Sequence, residues 1–227
     1  MADWTINLNV TTAQNYSPAR TLTITNVESI AGGWGNDVIT GNAATNFIDG
    51  GYGANVLNGS GGDDTMWTHG LNYTLNGGAG NDSLWSRGQG FNDTLNGGDG
   101  NDTLLGGHTV NGGSGNDNLA GDIMSGGTGA DVFQGQNVFQ GNFTVTDFSR
   151  VEGDHFDFSG LSAAGFNGSL NFVGYAAFDS TVGHNEIHVV AGAGFQLIEM
   201  DFNGDHIADY SVHVNGDTAL IVSDFIL

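Results

Sequence analysis

The chain has 227 residues, room for one long domain or two short ones, with 40 glycines, one proline and no cysteine. Scarce proline excludes collagen, regularly recurring hydrophobic residues argue against disorder throughout, and the missing thiols exclude disulfides and thiolate metal sites. Twenty-five Asp and Glu stand against only Arg20, Arg87 and Arg150, a net charge of −22, so neither nucleic acid nor an anionic membrane surface is an expected partner.

The amino terminus, MADWTINLNV, lacks the basic start and apolar run of a cleaved signal peptide, and no stretch approaches the ~18 apolar residues of a membrane span. Membrane insertion is not expected, and an export address has to lie elsewhere. Residues 5–30 alternate like strands without a repeat, so 1–31 reads as an amino-terminal cap of the kind a solenoid needs.

From Gly32 the sequence falls into nine-residue units: GGWGNDVIT, GNAATNFID, GGYGANVLN, GSGGDDTMW, THGLNYTLN and GGAGNDSLW. The longer SRGQGFNDTLN follows, then GGDGNDTLL, GGHTVN, GGSGNDNLA, GDIMS and GGTGADVFQ, which ends at Gln134. Glycines permit the positive φ angles of a tight turn, and the last three residues of each unit suit a short strand. One position per unit is apolar throughout: Ile39, Ile48, Leu57, Met66, Leu75, Leu84, Leu95, Leu104, Val110, Leu119, Met124 and Phe133. A fixed column of that kind is what a stacked solenoid core requires. The fold class expected is all-β, a parallel β-roll over 32–134 between two caps.

With two units per turn, the loops divide between two sides. One side carries Asp37, Asn55, Tyr73 and Asp93 and then runs out of loop. The other carries Asn46 followed by five aspartates in unbroken succession, Asp64, Asp82, Asp102, Asp117 and Asp131. Neighbouring strands stack ~4.7–4.9 Å apart, so an ion midway between stacked carboxylates lies ~2.4 Å from each, inside the Ca–O range and too far for magnesium. Unneutralised, each neighbouring pair repels by roughly 3–4 kcal/mol at an effective dielectric of about 20. Four pairs amount to about 14 kcal/mol, comparable with a whole domain's stability, so the calcium-free repeat should be largely unfolded. Isolated Asn-Asp turns are commonly just solvated; a column of them is not expected to be.

The candidate calcium ligands are these five carboxylates with main-chain oxygens of Gly59, Gly61, Gly77, Ala79, Gly97, Asp99, Gly112, Ser114, Gly126 and Thr128. Asp37 and Asp93 are candidates on the sparser side. After Gln134, strand-like runs (FTVTDF, DHFDF, SLNFVG, EIHVV, FQLIEM, YSVHV and TALIV) mark 135–227 as a β-rich cap. Within it Asp201, Asn203, Asp205 and Asp209 place oxygen donors at positions 1, 3, 5 and 9 of an acidic calcium loop, although Val212 stands where an EF-hand has glutamate. His184, Glu186 and His188 share one strand face, a weaker candidate for a transition metal.

The best units match G-G-x-G-x-D-x-U-x, and residues 32–134 resemble the RTX (repeats-in-toxin) calcium-binding repeat family. Three places in the tail are similar to the carboxy-terminal region of serralysin-type RTX proteins: Thr146-Asp147-Phe148 followed by Gly153 to Asp157, Asp201 to Tyr210, and the final Asp224-Phe225-Ile226-Leu227. That resemblance implies an uncleaved signal for a type I exporter and secretion by a Gram-negative bacterium. It stops short of the protease, because HExxH, GxSxG and P-loop motifs are all missing from the sequence.

Two non-enzymatic roles stay open: a calcium-dependent surface or matrix protein, or the export and folding module of a larger protease, alginate epimerase, lipase or adhesin. Thr74/Asn76, Thr94/Asn96 and Thr109/Asn111 form an outward array that would suit ice or a glycan, or simply ladder by hydrogen bonding. Trp67, Trp85 and Leu105 line up outward on the calcium-rich side, an apolar strip that suggests a homo-oligomer, filament or lattice unless the carboxy-terminal cap covers it.

Overall fold

A computed structural model describes residues 3–9, 14–17, 20–22, 27–86, 92–135, 142–164, 170–178, 185–216 and 218–227. They form a parallel β-solenoid of about eight turns, closed by two sheets that face each other across one core. Two sequence units make one turn. Strands Val38–Thr40, Val56–Gly61, Thr74–Ala79, Thr94–Asp99, Thr109–Ser114 and Ile123–Thr128 stack in one sheet. Strands Phe47–Asp49, Thr65–Thr68, Ser83–Ser86, Thr103–Leu105, Asn118–Ala120 and Val132–Gln134 stack in the other.

The register places the apolar column where a period of two units requires it. Leu57, Leu75, Leu95, Val110 and Met124 pair in line in the first sheet, and Ile48, Met66, Leu84, Leu104, Leu119 and Phe133 in the second. Every one of these side chains is 0% exposed. A one-residue slip would turn them all to solvent, so burial fixes the register.

The first sheet's strands run on through the glycine pair because loop main chains pile directly on one another. A Cβ at Gly78, Gly98 or Gly113 would come within 2.4, 2.1 and 2.1 Å of the carbonyl oxygen one turn back, at φ of +119°, +121° and +121°. Only glycine fits there. On the outer face, side-chain amides form a ladder: Asn76 Nδ2 donates to Asn58 Oδ1, Asn96 to Asn76 and Asn111 to Asn96, each at 2.7 Å.

Both flanks join the sheets. Thr5–Asn7 pairs with Val38–Thr40, and Ser29–Ala31 with Phe47–Asp49. Past Gln134, Phe143–Val145 extends the first sheet, then Tyr210–Asn215 pairs beside it and leads into antiparallel Phe195–Asp201 and Glu186–Gly192. His155–Asp157 and finally Phe225–Ile226 extend the second.

The run TALIV, expected as a strand, is not one: Leu220 is buried and Val222–Asp224 forms a 3-10 turn. Its polar groups are claimed elsewhere, since the Arg150 guanidinium donates to the Ala219 carbonyl and to Asp224, and Ile221 N donates to Asp224 Oδ2.

Candidate metal row

The loops that lead from the first sheet into the second carry the aspartate column, and each rung is built alike. Asp64, Asp82, Asp102, Asp117 and Asp131 are at most 2% exposed. Each Oδ1 accepts the main-chain N–H of the column residue one turn earlier: Asn46 N to Asp64, Asp64 N to Asp82, Asp82 N to Asp102, Asp102 N to Asp117 and Asp117 N to Asp131, at 2.7–2.8 Å. Each Oδ2 is buried with no hydrogen-bond partner.

That second oxygen turns toward the first glycine of its own loop. A Cβ on Gly59 would lie 2.1 Å from Asp64 Oδ2 and 2.6 Å from the Gly77 carbonyl oxygen of the next turn. The same pairing recurs for Gly77 with Asp82 and the Gly97 oxygen, Gly97 with Asp102 and the Gly112 oxygen, and Gly112 with Asp117 and the Gly126 oxygen. A carboxylate oxygen and a carbonyl oxygen thus come together at each of the four gaps between the five loops, and no donor of the protein reaches the carboxylate oxygen. Among the described residues no three His, Cys, Asp or Glu side chains converge as a metal cluster. Any ion here has to draw on main-chain oxygens as well, which is how hard cations such as calcium are held. The residues present fit calcium: buried anionic oxygen, converging carbonyls, no nitrogen or sulfur donor.

The carbonyls of Asp99, Ser114 and Thr128 accept the N–H of Gly80, Gly100 and Gly115 along the stack, at 2.7–2.8 Å. The Asp99 side chain faces outward, where its Oδ1 accepts a hydrogen bond from Ser114 Oγ. Ala79 and Gly61 pair in register at the ends of their strands.

The column continues one step beyond its reading in the sequence. Asp154, 3% exposed, accepts Asp131 N on Oδ1 at 3.0 Å and Ser149 N on Oδ2 at 2.8 Å, so its second oxygen is satisfied. Asp147 of the same loop accepts from Ser125 Oγ, Gly126 N and Gly127 N. Both were missed because this loop is longer than the repeat; the Gly-Asp pair just before strand His155–Asp157 was the available clue.

The opposite side satisfies itself differently. Asn55 Nδ2 donates to the Gly50 carbonyl and to Thr68 Oγ1, so its terminal atom is satisfied where the five Asp Oδ2 atoms are not. Tyr73 donates its hydroxyl to Ser86, and the rings of Trp34, Tyr52 and His69 stack in series with centroids 4.6 and 5.6 Å apart. Asp37 is the exception, with Oδ1 accepting Trp4 N and a buried, unpartnered Oδ2. Asp93 Oδ1 accepts Asn72 N at 2.5 Å, next to residues 87–91, which lie outside the described set.

In the carboxy-terminal loop, Asp201 accepts Gly204 N on Oδ1 and His206 N on Oδ2, Asn203 Oδ1 accepts Asp205 N, and Asp209 Oδ2 accepts Phe202 N. Those four residues therefore share one loop tied by its own hydrogen bonds. His188 Nδ1 lies 3.4 Å from Glu199 Oε2, while His184 lies outside the described residues.

Residues 30–68, 74–89, 85–108, 109–122 and 118–137 match the RTX calcium-binding nonapeptide repeat. The repeats belong to that family. RTX nonapeptide repeats bind calcium, so calcium is the cofactor of this chain. Among solved structures the chain is similar to the AlgE6R3 subunit of the Azotobacter vinelandii mannuronan C5-epimerase, 20% identical with 85% of this chain and 80% of that one covered, at a TM-score of 0.30. It is also similar to the extracellular lipase LipA of Serratia marcescens, 17% identical with 86% of this chain covered, at a TM-score of 0.26. The chain spans 40% of that lipase's length. No curated protein sequence matches it.

Burial, more than mutual repulsion, is what the column works against. Desolvation, partly offset by the main-chain hydrogen bond each Oδ1 accepts and reinforced by neighbouring carboxylates, pushes Asp64, Asp102 and Asp131 up from 3.8 to about 6 and Asp117 to about 7, with Asp82 raised as well. Folded-state values above the unfolded one mean that the metal-free folded chain binds more protons than the unfolded chain, so its stability falls as pH rises through about 6 to 7. Protein held in EGTA should therefore gain strand circular dichroism when acidified from about pH 8 to about pH 5, and lose it again on return. A chelated spectrum that does not change across that range would count against this electrostatic picture.

Proposed function

We propose that the chain is a secreted, non-enzymatic protein whose roll folds around a row of at least four calcium ions, one in each gap between the loops carrying Asp64, Asp82, Asp102, Asp117 and Asp131. What supports this reading is the unbroken series of buried Oδ2 atoms without partners, each facing the next turn's glycine carbonyl. Five such oxygens in a row are too costly to leave uncompensated. Calcium supplies positive charge there when bound; the chain's own part is to hold the oxygens in register, exclude water and keep the nearest main chain bare of side chains.

The biological logic follows from linking metal binding to folding. A chain that is poorly folded at cytoplasmic calcium stays threadable for a type I exporter and folds outside a Gram-negative cell. No described helix is long and apolar enough to cross a membrane. The terminal Asp224 to Leu227 is the proposed export signal.

Outside, the proposed role is structural, through self-association at the aromatic strip. Trp67 and Trp85 stack with ring centroids 6.5 Å apart, Phe47 meets Trp67 edge-on at 4.2 Å, and Phe47 and Trp85 remain 44% and 39% exposed. On a chain of net charge −22, calcium would favour contact by ordering this face and by screening repulsion.

Four measurements test this. Anomalous scattering from calcium-grown crystals should show at least four ions on the Asp64 to Asp131 side, and EGTA at neutral pH should collapse the strand spectrum; an equally full row on the Asp37 and Asn55 side would refute the assignment. Light scattering in millimolar calcium should report association that Trp67→Ala with Trp85→Ala weakens, whereas a strict monomer at high concentration rejects the assembly role. Deleting Asp224 to Leu227 should abolish export while calcium binding by the repeats persists; normal secretion of the shortened chain would make that segment only a strand.

A further inference from the structure

Four residues of the amide ladder share a chemical liability. Asn58, Asn76, Asn96 and Asn111 are each followed by glycine, namely Gly59, Gly77, Gly97 and Gly112. An Asn side chain cyclises most readily onto the next residue's main-chain nitrogen when that residue has no side chain to obstruct it. The glycine nitrogen bonds to Asn Cγ, the Cγ–Nδ2 bond breaks, and Nδ2 leaves as ammonia with the proton of the glycine N–H. Water then opens the resulting succinimide at either carbonyl, leaving aspartate or isoaspartate.

We propose that these four Asn-Gly pairs are deamidation sites which the folded roll holds shut, so that the chain ages chemically in proportion to the time it spends unfolded. Two restraints close the reaction. Strands Val56–Gly61, Thr74–Ala79, Thr94–Asp99 and Thr109–Ser114 hold the main chain extended through each Asn-Gly pair. The ladder fixes the reacting side chains as well: Asn76 and Asn96 each donate to one neighbour and accept from the other, and Asn58 and Asn111 end the run. Cγ cannot swing onto the glycine nitrogen without breaking a rung and bending a strand.

The product would strike where the roll has least tolerance. Gly59, Gly77, Gly97 and Gly112 are the glycines whose absent Cβ leaves room for Asp64, Asp82, Asp102 and Asp117, with clearances of 2.1–2.2 Å to Oδ2. Isoaspartate inserts an extra main-chain carbon immediately before that glycine and shifts it against the carboxylate. Aspartate instead stacks new negative charges on neighbouring rungs ~4.8 Å apart. Either product disfavours refolding, so calcium would protect the chain covalently as well as conformationally.

The calcium arm of the test rests on the folding role proposed above; a urea arm does not. Protein is held at one alkaline pH and temperature in calcium, in EGTA, and in calcium with denaturing urea, then digested and mapped by mass spectrometry, with exposed Asn215-Gly216 as a reference outside the ladder. Conversion at the four ladder sites should be slower in calcium than in urea by roughly 1,000-fold or more, the folded-to-unfolded ratio of an ordinary small domain. Equal rates in calcium and in urea would overturn the proposal. Protection in EGTA with loss in urea would leave the lock standing and remove calcium as its keeper. Recovery of the strand spectrum on restoring calcium should fall as conversion rises. A chain with Thr at all four positions, the residue this column already carries at Thr40 and Thr146, should recover fully after the same hold. Full recovery of the parent chain despite complete conversion would overturn the ageing consequence.

Discussion

A carboxylate taken out of water with only one of its two oxygens hydrogen-bonded is the constraint on which this molecule turns. Repeated at Asp64, Asp82, Asp102, Asp117 and Asp131, it leaves a line of buried oxygens that the protein's own donors do not reach. The rest of the repeat serves that line. The first glycine keeps Cβ out of the space beside Oδ2, and the following positive-φ glycines let the main chains pile close enough to bring the next carbonyl into range. The apolar column fixes the register that aligns one aspartate above the next. Uncompensated, such a charge either takes up a proton or disfavours folding; a divalent cation removes both outcomes at once.

The opposite side shows what the same architecture does without an ion. Asn55 places an N–H against the Gly50 carbonyl, at the position where each aspartate leaves an oxygen facing a carbonyl. Asn46, at the head of the acidic column, accepts Asn42 N on Oδ1 and so satisfies its own loop. On the Asn55 side, Trp34, Tyr52 and His69 stack their rings in series. Past Asp37, whose Oδ2 is also buried without a partner, this side satisfies itself largely with amides and rings, whereas the other repeats the unpartnered carboxylate five times.

The column of apolar residues and the five aspartates were legible because both recur at a fixed period, and a solenoid converts period directly into contact. What did not recur was not legible. Asp154 completes the column, but Phe148 to Gly153 lengthen its loop beyond the repeat, so counting by nines passes over it. The pairing of Tyr210–Asn215 beside Phe143–Val145 joins segments far apart in sequence, and alternation alone marks strands without saying which neighbours they take. TALIV has the pattern of a strand, yet Arg150 claims the Ala219 carbonyl and Asp224. The energetic order was also hidden. Spacing along the axis points to repulsion between carboxylates, whereas burial, which a sequence does not state, disfavours their charged form more strongly than their neighbours do.

The end of the row follows the same electrostatic rule with the protein's own groups. A line of carboxylates compensated by ions has to stop where no further ion can be shared, and Asp154 stops it by taking Ser149 N on its second oxygen. Arg150, next in that loop, turns its guanidinium onto Asp224, a carboxylate only 2% exposed, and the pairing raises the arginine pKa further. Phe148 packs on Phe156, which stacks in turn on Phe225 beside that aspartate. At the last turn a fixed side-chain cation thus compensates a buried carboxylate in the way proposed for calcium along the row. It holds the final strand onto the sheet by an ion pair that chelation does not remove.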